Sequence, residues 1–145
     1  MTEVIQLLEN KGHQVWSVAP ETPVEDALKL MSEKDVGALL VIEKGKVIGF
    51  FSERDYVRRV VSDCDCDMHT PVESLMSAPV YYVHPKVTLE ECMALMTAKH
   101  FRHLPVMDKN KLIGIISIGD VVKELIMEKD SSIKSLEDYI WIHMI

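Results

Sequence analysis

Two short segments carry side chains able to do chemistry in the same order: Ser52-Glu53-Arg54-Asp55 and Ser117-Ile118-Gly119-Asp120. A hydroxyl followed three residues later by a carboxylate, just after an apolar run, has the pattern of a helix-capping box. The hydroxyl accepts a free N–H of the first turn and the carboxylate stands near the positive end of the helix. The same helix N-terminus offers N–H groups to an anion. The arginines, Arg54, Arg58, Arg59 and Arg102, gather at the first of these junctions and at a strand entry in the second half, while every other basic side chain of this type is lysine. A planar guanidinium forks onto phosphate better than an ammonium does, so arginines confined to these places point to a local anion. Two other groupings are weaker. His100 and His103 have helical ligand spacing, but one closes a helix and the other heads a strand, which breaks the geometry a metal needs. Cys64 and Cys66, with Asp63, Asp65, Asp67 and His69, offer soft and hard donors, yet they lack the two-pair spacing of a zinc site and fall where a polar connection belongs. No nucleophile, base and orienter stand at readable spacing, and neither a Walker loop nor a G-x-G-x-x-G fingerprint is present, so no enzyme is expected.

The elements that must position these groups are written twice. Sliding the sequence by 65 positions lays residues 18–57 over 83–122 without a gap, with about fifteen of the forty pairs identical. Pro20/Pro85, Met31/Met96, Leu39/Leu104, Val41/Val106, Gly49/Gly114, Ser52/Ser117 and Asp55/Asp120 are among them. Val24, Ala27, Leu28 and Met31 form an apolar helix stripe, repeated by Leu89, Cys92, Met93 and Met96. Thr22 and Thr88 read as helix caps, with Pro23 at the first helical position and Glu25 or Glu91 reaching back. Strand-like runs follow around the turns Glu43-Lys44-Gly45 and Asp108-Lys109-Asn110. A second helix starts near Ser52 and near Ser117, and short strands near residues 15–18 and 80–83 open each unit. The order is β-α-β-β-α, given twice, an α/β (α+β) chain of two pseudo-symmetric motifs. One motif of about fifty residues is marginal alone, so the two are expected to pack face to face with a ligand in the cleft between them. The segments are 1–14, an N-terminal helix; 15–65, the first motif; 66–79, a linker; 80–128, the second motif; and 129–145, a C-terminal helix or tail.

Composition narrows the function classes. The 145 residues are 48% hydrophobic and 27% charged, which is globular, and the formal net charge of -7 opposes broad attraction to nucleic acid or to anionic membranes. An odd cysteine count, with no apolar leader and no run long enough to span a bilayer, favours reduced thiols in the cytoplasm. Cys92 falls on an apolar helix face and is expected in the core, as are Met31, Met93 and Met96.

The twin units, with Gly49-Phe50-Phe51-Ser52-Glu53-Arg54-Asp55-Tyr56 in one and Arg102-His103-Leu104-Pro105-Val106 followed by Gly114-Ile115-Ile116-Ser117-Ile118-Gly119-Asp120 in the other, resemble tandem cystathionine-β-synthase (CBS) domains, a Bateman module. The likeness is nearest to stand-alone CBS-pair regulatory proteins used in signal transduction. It implies that the hydroxyl and the aspartate of each Ser-x-x-Asp motif hold ribose and phosphate of AMP, ATP or NAD, with adenine near the first hairpin strand. Carried over, it selects Ser52 and Asp55 with Thr22, Gly37, Ala38 and Leu39 in one site. The other has Ser117 and Asp120 with Val87, His103, Leu104 and Pro105. The arginine argument adds Arg54 and Arg102. Val87 where the first motif has Thr22, and Pro105 where it has Leu40, are departures that set the two sites apart. The implied function is a nucleotide sensor read by an unidentified protein target; the alternative is a structural adaptor with vestigial clefts. The apolar stripe of Ile133, Leu136, Tyr139 and Ile140, running into Trp141, Ile142, Met144 and Ile145, needs cover, and the resemblance suggests a homodimer.

Overall fold

The computed structural model describes residues 1–63 and 67–129. Cys64, Cys66 and the apolar stripe of the tail lie outside the described residues. The elements run α1 (Val4–Lys11), β1 (Ser17–Val18), α2 (Val24–Lys34), β2 (Ala38–Glu43), β3 (Lys46–Ser52), α3 (Glu53–Ser62), a 3₁₀ turn (Val72–Ser74), α4 (Leu89–Lys99), β4 (His103–Asp108), β5 (Lys111–Ser117) and α5 (Ile118–Lys129). They divide into two compact units, one of Val15–Tyr81, the other of Met1–Gln14 with the chain from Tyr82 onward.

Each unit is built around an antiparallel hairpin in the same register. β2 and β3 pair Ala38 with Ser52 through Glu43 with Lys46, and β4 and β5 pair His103 with Ser117 through Asp108 with Lys111. Both ladders shift by one residue, after Val41 and after Val106, leaving Ile48 and Ile113 as the extra residues of matching bulges. The turns hold Lys44 and Gly45, or Lys109 and Asn110, at positive φ, the left-handed geometry that two-residue hairpin loops require.

The cores also correspond. Val24, Ala27, Met31, Leu39, Val41 and Phe51 are buried in the first unit, and Leu89, Cys92, Met96, Leu104, Val106 and Ile116 take the same places in the second. Burial, helped by the charge of Glu91, pushes the Cys92 thiol up to about 11, so it is an inert core group. Met93 packs at the edge of the same cluster.

Two local features differ from what the sequence suggests. Thr22 does not cap α2: Pro23 occupies the cap position with no side-chain bond. The free N–H groups of Val24 and Glu25 instead reach the carbonyls of Thr70 and Met68, at 2.8 and 2.9 Å, so the stretch before the 3₁₀ turn satisfies the helix end. Thr88 and Glu91 do form the expected box on α4. No strand forms over 80–83; Val83 makes one parallel bridge to Val106. In the first unit the Leu40 N–H bonds the Trp16 carbonyl at 3.3 Å and β1 pairs with β2 over two residues. Pro105, at the position matching Leu40, has no N–H, so the ladder stops.

Each core is completed from outside its own repeat. Val4, Leu7 and Leu8 of α1 are buried in the core of the second motif, and Val72 and Leu75 in the core of the first. The backbone contacts correspond one for one. Val4 N–H meets Val87 O and Leu89 N–H meets Thr2 O, just as Val72 N–H meets Thr22 O and Val24 N–H meets Thr70 O. The stretches 1–14 and 66–79, set apart from the motifs in the sequence reading, thus play one role, 1–14 covering the second motif and 66–79 covering the first.

Candidate functional site

Both Ser-x-x-Asp motifs sit where a hairpin's last strand turns into a helix, because an extended serine lets its hydroxyl swing back over the first turn. Ser52 is the N-cap of α3. Its hydroxyl accepts the Asp55 N–H at 3.2 Å and donates to Asp55 Oδ2 at 2.9 Å, and its own N–H reaches the same oxygen at 2.9 Å. Asp55 Oδ1 accepts the Ser77 hydroxyl at 2.7 Å, so both carboxylate oxygens are engaged. Ser77 also exchanges backbone bonds with Phe50, its N–H to Phe50 O at 2.8 Å and the Phe50 N–H to Ser77 O at 2.9 Å.

Ser117 and Asp120 repeat the box: Asp120 N–H to the Ser117 hydroxyl at 3.1 Å, Ser117 N–H to Asp120 Oδ2 at 2.8 Å. The outside partner differs. Lys11, the last residue of α1, places its Nζ 2.7 Å from Asp120 Oδ2 and donates to the Ile115 carbonyl at 2.7 Å. Ile115 matches Phe50, so one ammonium does in this unit what the Ser77 N–H and hydroxyl do together in the other. Among the described residues Asp120 Oδ1 accepts no hydrogen bond. Burial pushes the Asp120 carboxyl up, but the hydrogen bond from Lys11, that from the Ser117 backbone and the Lys11 charge outweigh it and hold the group below its ordinary value.

The remaining candidates line the strand entries. Gly37 O accepts the Glu53 N–H at 3.1 Å, and Arg102 O accepts the Ile118 N–H at 2.9 Å, in matching geometry. Ala38 and Leu39 are buried at the start of β2; His103 heads β4 half-buried, followed by the buried Leu104 and Pro105. His103 lies below the ordinary imidazole value: burial lowers it first, the charges of Lys11 and Arg102 lower it further, and Asp120 opposes them. Thr22 and Val87 serve through their carbonyls, each bonded to the covering segment of its unit. Arg54 and Arg102 are exposed and make no ion pair among the described residues. Arg59 is structural: it bonds the Ser74 carbonyl at 3.1 Å and pairs with Asp63 at 3.4 Å. His100 closes α4 in a left-handed conformation while His103 begins β4, so the two stand on different elements. An open depression of about 470 Å³ beside α2 is lined by Leu28, Met31, Ser32, Asp35, Val36, Gly37 and Glu53, sharing only Gly37 with the candidate set.

Lys11 and Ser77 are the site-proximal residues that the sequence reading missed. A signal for them exists. Val4-Leu7-Leu8 and Val72-Leu75-Met76 have the same spacing, and aligning these triplets sets Lys11 and Ser77 in equivalent stretches just beyond them.

The arrangement defines a class: a protein of two sequence-related motifs, each a helix, a β-hairpin and a second helix, with matched serine–aspartate corners at their hairpin-to-helix junctions. The CBS domain family model matches residues 11–62 and 72–127, and the chain belongs to the CBS domain family. It is 35% identical over 108 residues to the CBS domain-containing protein YhcV of Bacillus subtilis, spanning 74% of this chain and 76% of that one. A solved CBS-domain protein from Burkholderia ambifaria is similar at 46% identity and a TM-score of 0.84, over 89% of this chain and 97% of that one. The solved structure of CBSX2 in complex with AMP is similar at 30% identity and a TM-score of 0.70, over 89% and 99%. No helix among the described residues is long and apolar enough to cross a membrane.

Proposed function

We propose that this chain is a regulatory sensor of adenine nucleotides, binding AMP, ATP or NAD at its serine–aspartate corners and presenting the outcome to a protein target, without catalysing a reaction. The observation that carries this reading is the pair of corners themselves, built in one register in both units, together with similarity to a protein solved with AMP. Each carboxylate can accept ribose hydroxyls, and each helix start offers N–H groups to a phosphate beside an exposed arginine. The residues assigned are Ser52, Asp55, Arg54, Thr22, Gly37, Ala38 and Leu39 in one unit, and Ser117, Asp120, Arg102, Val87, His103, Leu104 and Pro105 in the other. A ligand signals only through its differential affinity for two states, typically a coupling of about 1–3 kcal/mol. The chain functions as a cytoplasmic homodimer in this reading. Support for the dimer comes from α3, which buries no residue of its own and leaves Val57 and Val61 exposed at 57% and 77%.

Native mass spectrometry after exposure to each nucleotide at about millimolar concentration tests all parts at once. The expected species is two 16.5 kDa chains with nucleotide retained. A chain that retains none of the three is a structural adaptor; nucleotide returned as a changed product makes it an enzyme; a monomer removes the dimer from the account.

A further inference from the structure

We propose that the two serine–aspartate corners are unequal receptors, and that Lys11 makes the Ser117–Asp120 corner the one that takes the phosphate-bearing ligand. The inference rests on the adenine-nucleotide reading above and assigns that ligand to one half of the chain.

The contrast lies in which charges the fold brings to each corner. At the first, Asp55 is held by the neutral Ser77 hydroxyl, and Glu53 occupies the opening position of α3, so Arg54 shares the first turn with two carboxylates. At the second, Ile118 stands where Glu53 does and Arg102 where Gly37 does, and the Lys11 ammonium lies against Asp120. Cations therefore exceed carboxylates there: an incoming phosphate meets Lys11 and Arg102 against Asp120, where at the first corner it meets Arg54 against Glu53 and Asp55. Farther along the helices Arg59 is engaged by Asp63 and the Ser74 carbonyl and Glu124 by Asn10 at 3.4 Å, while the exposed Arg58 and Lys123 stand at matching positions and do not set the two corners apart. Coulomb attraction at these short ranges survives partial solvent screening because Lys11 and Asp120 are only 34% and 27% exposed.

Hydrogen-bond capacity points the same way. Asp55 takes three hydrogen bonds from Ser52 and Ser77 and keeps a single lone pair, on Oδ1, whereas Asp120 keeps Oδ1 unbonded among the described residues and has more room for ribose hydroxyls without losing its lysine. Lys11 is also fixed in advance. Leu7 and Leu8 anchor α1 in the core, the Lys11 ammonium is tied to Ile115 O, and the His13 ring lies 2.7 Å from Ile113 O. A preset cation costs little ordering when ligand arrives.

Calorimetric titration of the full chain with AMP and with adenosine separates the terms, using Lys11→Gln, which keeps a hydrogen-bonding side chain and removes the charge. Val4, Leu7 and Leu8 carry the packing of α1, so the variant should fold, as a thermal melt will verify; Lys11→Arg supplies a second variant that keeps the charge. In Lys11→Gln the tighter AMP event should weaken by about tenfold, and adenosine should change by less than about twofold. Lys11→Arg should stay near the parent, and added salt should weaken AMP in the parent far more than in Lys11→Gln. Unchanged AMP affinity in a folded Lys11→Gln overturns the inference, as does an equal loss for both ligands, which would make Lys11 a support for α1 alone. If the parent binds neither ligand, the nucleotide reading itself fails, and the inference with it.

Discussion

The two halves of this chain answer one structural problem with different chemistry. Each hairpin-to-helix corner needs a donor for its aspartate and a donor for the carbonyl two residues before its serine. In the first unit Ser77 provides both, one from its backbone and one from its hydroxyl. In the second a lysine at the end of a helix provides both from one ammonium. The donors at the two corners are decided by the segments that pack on them, beside the exchanges of Glu53 for Ile118 and Gly37 for Arg102 within the repeats. A duplicated motif is thus made asymmetric by what covers it as well as by these exchanges, with its own serine and aspartate unchanged.

The covering segments offer the largest way to sharpen that comparison. Gly49 and Gly114 match in sequence and in register, and each lies under its covering segment. A Cβ on Gly114 would stand 2.7 Å from a Leu8 methyl that is fully buried in the core. A Cβ on Gly49 would collide with the Met76 thioether, but Met76 is only partly buried and unbranched, so it can swing aside. Gly114→Ala should therefore cost about 1–3 kcal/mol and Gly49→Ala under about 1 kcal/mol, read as chemical denaturation midpoints. Equal costs would mean that α1 and the 3₁₀ segment are held with the same rigidity.

A smaller effect comes from protons. His103 is held below its unfolded value of 6.5, so it binds fewer protons folded than unfolded. Its contribution is complete above pH 6.5 and is lost as pH falls through the lowered folded value. Asp120, held below 3.8, adds a second loss of the same sign at more acid pH. The first unit has Ala38 in place of His103. Melting followed from pH 8 downward, an ordinary assay range in which imidazole titrates, should show the second unit weakening as pH falls below 6.5. His103→Gln should flatten that first decline while leaving the acid one. A profile unchanged by His103→Gln would remove the histidine from the balance.

Much of this was legible in the residues. Helix stripes, the repeat offset, the turns and both capping boxes at Ser52 and Ser117 follow from local spacing, and the structure has them in those places. The family likeness of the paired units is shown by the family match. What failed to show was decided at long range. Thr22 has the right type for a cap, but backbone carbonyls near Thr70 reach the helix end first. The strand at 80–83 has the right residues, but its partner position is Pro105, which has no hydrogen to give. Lys11 looks like any terminal helix lysine, and its role depends on α1 packing against a hairpin about a hundred residues away in sequence. No periodicity records such a contact; only the matched triplets before Lys11 and Ser77 hint at it.

The most direct test of the account is a calorimetric titration of AMP into Asp55→Ala and Asp120→Ala, each in the full chain and each verified as folded, since loss of a cap contact costs only about 0.5–2 kcal/mol. The account predicts that Asp120→Ala loses the tighter binding event and that Asp55→Ala keeps it. Retention of that event in Asp120→Ala, with its loss in Asp55→Ala or in neither, would contradict the account.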